Sequence, residues 1–208
     1  MILAQPVAPY LVAHCGVPDP IVASTLRLYE EPQRHYHNVD HLARMVDAAQ
    51  AHGIALDQAQ ALALLFHDAV YVAGAPKGAN EQLSALLLRA RVHGLVDAGV
   101  TDMAARIIVD TTSHFPSHAR STVVLDLDLL GLAGSLDEAR RDGELIYKEN
   151  AHLVDGWADY AKRRSQFLQT LLDRPKILYS QELQHREKQL RTNLREIIRT
   201  PDVRLHAV

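Results

Sequence analysis

One cysteine, Cys15, is present in 208 residues. That excludes an internal disulfide and fits a reducing compartment. No uninterrupted apolar run approaches the roughly 20 residues that span a bilayer. No dense block of Lys and Arg is present, and 25 acidic residues against 22 basic ones leave a net charge of -3 at pH 7. The balance points to neither nucleic acid nor a membrane surface as partner. The start, Met1-Ile2-Leu3-Ala4-Gln5-Pro6, lacks the basic residues and long apolar stretch of a signal peptide. These absences predict a soluble, cytoplasmic protein. There is also no internal repeat, no low-complexity tract and no linker, so residues 1–208 read as one domain. Oligomeric state stays open, a homodimer included.

What is present is a core and many histidines. The apolar fraction is 48%, enough for a globular interior, and twelve His is a high count for this length. His37, His41 and His67 fall near one another in helical register, whereas His52, His118, His152, His185 and His206 are scattered. The stretch Leu62 to Tyr71 is almost wholly apolar yet carries His67 and Asp68 side by side. Leu62, Leu65, Phe66, Ala69 and Val70 recur at the spacing of one buried helix face, which puts His67 and Asp68 at its edge. Burying a carboxylate beside an imidazole is costly unless something compensates. A divalent metal compensates both, taking the carboxylate oxygen and the neutral imidazole nitrogen as ligands.

The rest of the chain reads as helices. Asp19-Pro20 starts the first, with Asp19 as cap, running to about Glu31 and burying Ile21, Val22, Leu26 and Tyr29. After Pro32, Arg34 opens a second helix that runs to about His52, where Gly53 ends it. Its apolar stripe is Leu42, Met45, Val46 and Ala49. Asp57 caps the third, the His67-Asp68 helix, with Gln60 at the capping-box position. Residues 74–78 form a loop. Asn80-Glu81 begins the fourth helix, ending near Gly94, and Thr101-Asp102 begins the fifth, ending near His114. Residues 123–132 alternate as a strand does, but nothing else offers a strand to pair with, so a short helix is favoured. Ser135 to Glu138 is a capping box. Pro175 interrupts the helical pattern beyond it, and Ser180 starts a charged final helix to Arg199, most simply a solvated face. The expected fold is all-α, a single helical bundle of eight or nine helices, with a site-bearing core at about 25–135 and helices of 136–200 packed on it.

Four side chains form the expected metal site. His37 and His41, four apart, share a helix face. His67 and Asp68 point about 100° apart and can straddle one ion. Asp128, embedded in Leu127, Leu129 and Leu130, is the natural fourth ligand, with Asp126 its competitor.

The ordered set His41, His67-Asp68 and Asp128 resembles the metal signature of the HD superfamily of metal-dependent phosphohydrolases. Tyr36-His37-Asn38-x-x-His41 resembles the segment that cyclic-nucleotide phosphodiesterases and their relatives use. Phe66-His67-Asp68-x-x-Tyr71, Asn80-Glu81-x-x-Ser84, Thr111-x-x-His114, Leu127-Asp128-Leu129-x-Gly131 and the late Arg191, Asn193, Leu194 and Glu196 extend the likeness over residues 25–197. The whole is similar to a bacterial family of predicted HD phosphohydrolases. Members usually carry an Arg and a Tyr flanking the segment at Lys148-Glu149, where Tyr147 and Asn150 stand here.

The resemblance implies an HD-type bundle and a hydrolase that cleaves a phosphate ester of a nucleotide or related small molecule. Water activated by a divalent metal (Mn, Mg, Co, Ni, Fe or Zn) would attack phosphorus. His41, His67, Asp68 and Asp128 would hold the metal. His37, Asp68 and Glu81 are the catalytic candidates, with His37 as the proton donor and Glu81 orienting water or protonating the leaving group. Glu81 otherwise simply favours its helix's N-terminal dipole. Arg34 and Lys77 are candidates for phosphate recognition, and Tyr71 and His114 for the rest of the substrate pocket. Two alternatives stand beside this reading. A di-iron oxygenase of the HD type would require both His93 and His114 as ligands. A non-catalytic nucleotide-binding HD module would carry a lost ligand, and none is lost.

Overall fold

Helix α4 (Gln58–Phe66) is buried on every side: Ala59 to Phe66 are all shielded from solvent. It is the central strut of a computed structural model that describes residues 7–201. The readings of Met1 to Pro6 and of His206 fall outside those residues. Around α4 pack α2 (Asp19–Leu26), α3 (Val39–Ala51), α5 (Ala79–Val92), α6 (Ala98–Thr111) and α7 (Ser121–Leu129). Helix α1 (Val7–Ala13), unseen in the sequence pattern, lies on α2 and α3. Helices α8 (Leu136–Asn150), α9 (Gly156–Leu172) and α10 (Glu187–Arg199) form a second group. α10 packs on both α8 and α9 and on the short 3-10 turn Leu130–Ala133 that follows α7. The described residues contain ten α-helices and no strand, so the chain is all-α.

One apolar core runs from Val7 to Ile197, and a small satellite of Trp157, Tyr160 and Ala161 sits between α8 and α9. No helix among the described residues is long and apolar enough to cross a membrane.

Both capping boxes form as read. The Asp57 and Ser135 side chains accept from the backbone of Gln60 and Glu138, whose side chains reach back in turn. Several boundaries differ, each for a local reason. Asp19 is already helical; Pro18 is the cap position and no side chain caps α2. α6 begins at Ala98, a turn before Thr101, because Asp97 accepts from Gly99 N and Val100 N. α4 ends at Phe66, so His67 and Asp68 sit in the turn beyond it instead of along a helix edge. The final helix begins at Glu187, not Ser180. The backbone N–H groups of Tyr179 and Ser180 are taken by buried Asp126, at 2.9 and 2.6 Å. Glu187 accepts from Leu178 N at 3.1 Å, Arg191 donates to Leu172 O and Arg174 O, and Asn193 donates to Leu132 O and Gly134 O. The charged final helix is therefore partly an anchor. Glu196 takes no part in it, pairing with Arg199 on its own helix.

The largest correction concerns residues 34–38. They are not helical, and α3 begins at Val39. The Asn38 side chain accepts from Asp40 N at 2.9 Å and His41 N at 3.4 Å, while its amide donates to Arg34 O and His35 O. Asn38 thus starts a helix and closes the preceding bend with one side chain. Replacing it should loosen both. Asn38→Ala is expected to lower stability by about 1 kcal/mol, read by urea denaturation, with Asn38→Gly losing less at the cap.

Candidate metal centre

The chain must satisfy the carbonyls that α4 leaves open when it ends in the core. Tyr29, fully buried, donates its hydroxyl to Leu65 O at 2.9 Å. Arg34 donates from Nη1 to Asp68 O at 2.6 Å and His37 O at 3.2 Å, and from Nη2 to Ala69 O at 3.1 Å. Its Nε reaches Glu31 at 2.8 Å. Arg34 is 6% exposed and spent on the protein's own backbone, which corrects its reading as a phosphate ligand. Lys77 is corrected too: it is exposed in the loop before α5 and no part of the cavity wall.

This brace fixes His67. Its Nδ1 donates to Leu64 O at 2.8 Å, so the Nε2 lone pair points away from the helix. Nε2 lies 3.3 Å from His41 Nε2 and 2.9 Å from Asp68 Oδ2. His41 enters from the first turn of α3 and Asp128 from the last turn of α7, with Oδ1 3.1 Å from His41 Nε2 and 3.7 Å from His67 Nε2. The ligand atoms of His41, His67 and Asp128 lie within 4.8 Å of one another. Asp68 flanks this trio on the His67 side. His114, whose backbone φ is +49°, sets Nε2 2.9 Å from Asp128 Oδ2. Asp126, two residues before Asp128, faces the opposite way onto the 179–180 backbone.

Donor spacing and donor chemistry both fit a divalent cation. Ligands about 2.1 Å from one ion lie about 3.0–3.4 Å from each other, and the trio's separations are 3.1, 3.3 and 3.7 Å. Without an ion, two buried imidazoles in contact cannot both carry charge. Burial pulls His67 down, but Asp68 and Asp128 outweigh it and push it up to about 10. Burial holds His41 below its ordinary value despite Asp128. Against the opposing effect of burial, the charge of His67 and hydrogen bonds from His114 and His41 hold Asp128 well below the carboxylate range. One proton thus stands where a cation's charge would serve all three groups.

The same cluster opens into a cavity of about 330 Å³. His37 and Tyr71 line it, their rings stacked at 4.3 Å. His37 lies outside α3, yet its ring is 6.2 Å from that of His41. Glu81 reaches the wall from the first turn of α5, beside Thr111 and His114. His93 does not: it is exposed at the end of α5, which removes the ligand that the di-iron reading required.

Three cavity-side residues were missed in the sequence. Glu149 is 5% exposed; its Oε2 lies 2.6 Å from His37 Nδ1, and its Oε1 accepts from Tyr36 N and His37 N. Burial raises Glu149, but the bonds and charge of His37 outweigh it and lower it. Asp142, 3.3 Å from Arg44, is held above its ordinary value by burial. Arg164 reaches the cavity from α9. A signal existed: Ala139, Asp142, Ile146 and Glu149 recur at helical spacing, as do Trp157, Tyr160, Ala161, Arg164 and Leu168. Both stripes face inward with charges on them. The departures at 147 and 150 are placed as well: Tyr147 packs on Trp157 and Tyr160, and Asn150 donates to the Tyr71 hydroxyl at 3.2 Å.

Comparison with models of protein families, with curated proteins and with solved structures gives no match.

The geometry separates two neighbouring acids. Asp128→Ala and His41→Ala are expected to abolish tight binding of Mn or Zn, measured by metal analysis after dialysis, with the fold kept. Asp126→Ala should keep the metal and lower stability by about 3 kcal/mol, since two buried N–H groups lose a charged acceptor.

Proposed function

We propose that this chain is a metal-dependent phosphohydrolase of the HD type, cleaving a small phosphate ester such as a nucleotide. One observation carries the reading. A His-His-Asp trio with an adjoining Asp shares its cavity with an imidazole locked by a buried glutamate.

Cavity size and charge support it. About 330 Å³ lies at the small end of the range for small-molecule sites. Asp68, Glu81, Asp128 and Asp142 line it together with one guanidinium, Arg164, and the imidazoles of His37, His67 and His114. Cationic charge added beside these carboxylates favours an anionic substrate. Held by His41, His67 and Asp128 with Asp68 beside them, a divalent ion supplies Lewis acidity, neutralising phosphoryl oxygens and acidifying water.

The chain's own residues do the rest. Glu149 binds Nδ1 of His37 and two backbone N–H groups, which fixes the ring and leaves Nε2 as the nitrogen available to a substrate. Burial lowers the His37 pKa, but Asp68 and the Glu149 hydrogen bond outweigh it, so the value is raised. The raised pKa favours the protonated ring, the form that can give a proton to the departing oxygen. Tyr71 stacks on the ring and limits its tilt. Glu81 and Asp68 are the carboxylates available to accept a proton from the attacking water.

A panel of nucleotides and phosphomonoesters assayed with Mn, Co, Ni, Mg and Fe tests the reading. Turnover that disappears in Asp68→Ala is expected; no turnover by metal-loaded protein across the panel overturns it. His37→Ala should lower kcat by about 10²–10⁴ with KM little changed. Activity that needs protonated His37 is lost above its pKa. Because Glu149 raises that pKa, Glu149→Gln should move the alkaline limb of kcat/KM to lower pH. An unmoved limb would assign the proton to another group.

A further inference from the structure

Arg164 is the one Lys or Arg side chain in the cavity wall, and its placement is constrained from three sides. Its Nη1 donates to the Tyr160 hydroxyl at 3.2 Å, and its Nη2 donates to Ala139 O at 3.1 Å. Tyr160 in turn donates to Gly143 O at 2.8 Å. The guanidinium lies flat against Gly143: a Cβ there would stand 2.2 Å from Nη1 and 2.5 Å from Cζ. Gly143 is in the interior of α8, where glycine is unfavourable relative to alanine. The space it leaves is filled by this one side chain.

The two protein acceptors use two of five N–H donors. Among the described residues no carboxylate pairs with Arg164, although the cavity wall holds four. Arg34 and Arg191 are paired with Glu31 and Glu187; Arg174 and Arg186, like Arg164, bond backbone oxygens, but neither lines this cavity. Arg164 is partly buried and lines the cavity with the apolar groups Leu132, Ile146 and Leu168 and with Asp142, whose carboxyl feels its charge.

We propose that Arg164 is the anion-recognising residue of this cavity, binding phosphoryl oxygens of the substrate, and that Gly143 exists to admit it. The inference rests on the hydrolase reading for its substrate class. Its test does not. Arg164 makes the bidentate contact that a phosphate offers, a role the sequence assigned to Arg34 and Lys77. It fixes the substrate and leaves bond breaking to the opposite wall.

The experiment is calorimetric titration of Mn-loaded protein with inorganic phosphate, with thermal unfolding on the same samples. Arg164→Ala should weaken phosphate binding about ten- to a hundredfold, and Arg164→Lys should recover only part of it. Gly143→Ala is the decisive variant. Its clash is with the guanidinium end of Arg164, which is displaced, while alanine favours the interior of α8 and offsets the lost bonds to Tyr160 and Ala139. Weakened phosphate binding with an unchanged or raised melting temperature is expected. A lowered melting temperature with unchanged phosphate binding in Gly143→Ala and Arg164→Ala would make Arg164 a brace between α8 and α9 and overturn the proposal. Wild-type protein that binds no phosphate also overturns it. Phosphate binding that depends on Arg164 without turnover of any phosphoester leaves the anion site standing and removes the hydrolase reading. Turnover with KM unmoved in Arg164→Ala does the reverse.

Discussion

Everything near the cavity depends on how a helix stops inside a hydrophobic core. α4 is buried on all sides and ends where water cannot reach its last carbonyls. Tyr29 takes up the Leu65 carbonyl and Arg34 the carbonyls of Asp68 and Ala69 just beyond, which holds His67 and Asp68 in a turn instead of a further helical step. That turn lets two adjacent side chains face one point, which on a regular helix diverge by about 100°. A buried guanidinium bonded to three backbone oxygens and one carboxylate is a stable arrangement because none of its charge is stranded. Position 34 is structural in a way that its charge alone did not announce.

The all-helical class was legible because the pattern is dense and strand partners are missing. Caps at Asp57 and Ser135 were legible because a capping box is a local event involving four residues. His67, Asp68 and Asp128 were legible as candidates because each is a polar group in an apolar setting, which asks for compensation, and His41 through the ordered set it forms with them; the fold brings His41, His67 and Asp128 together with Asp68 beside them. What escaped was decided by distant residues. Asn38 starts α3 late because Glu149, over a hundred positions away, grips the backbone at Tyr36 and His37. Ser180 cannot start a helix because Asp126 holds its N–H. Glu149 and Arg164 gain their partners only through the packing of α8 and α9, which turns those faces inward.

The two groups of helices divide the labour. α3, α4 and α7 contribute the tight cluster of donors, whereas α8 and α9 contribute the glutamate that steadies His37 and the arginine on the far wall. α10 ties the groups together through Asn193, which bonds the backbone just beyond α7. The reading of function therefore needs both groups, and the C-terminal third of the chain is more than packing.

His41 and His67 are 26 positions apart, and His41 and Asp128 are 87 apart. Closing a loop of that length is an entropic barrier that local helix formation does not lower. The trio exists only once α7 has docked, so an ion recognising it meets the finished molecule and not the collapsing chain. An ion bound there would act as a late latch, retarding escape from the native state and leaving the speed of reaching it almost untouched.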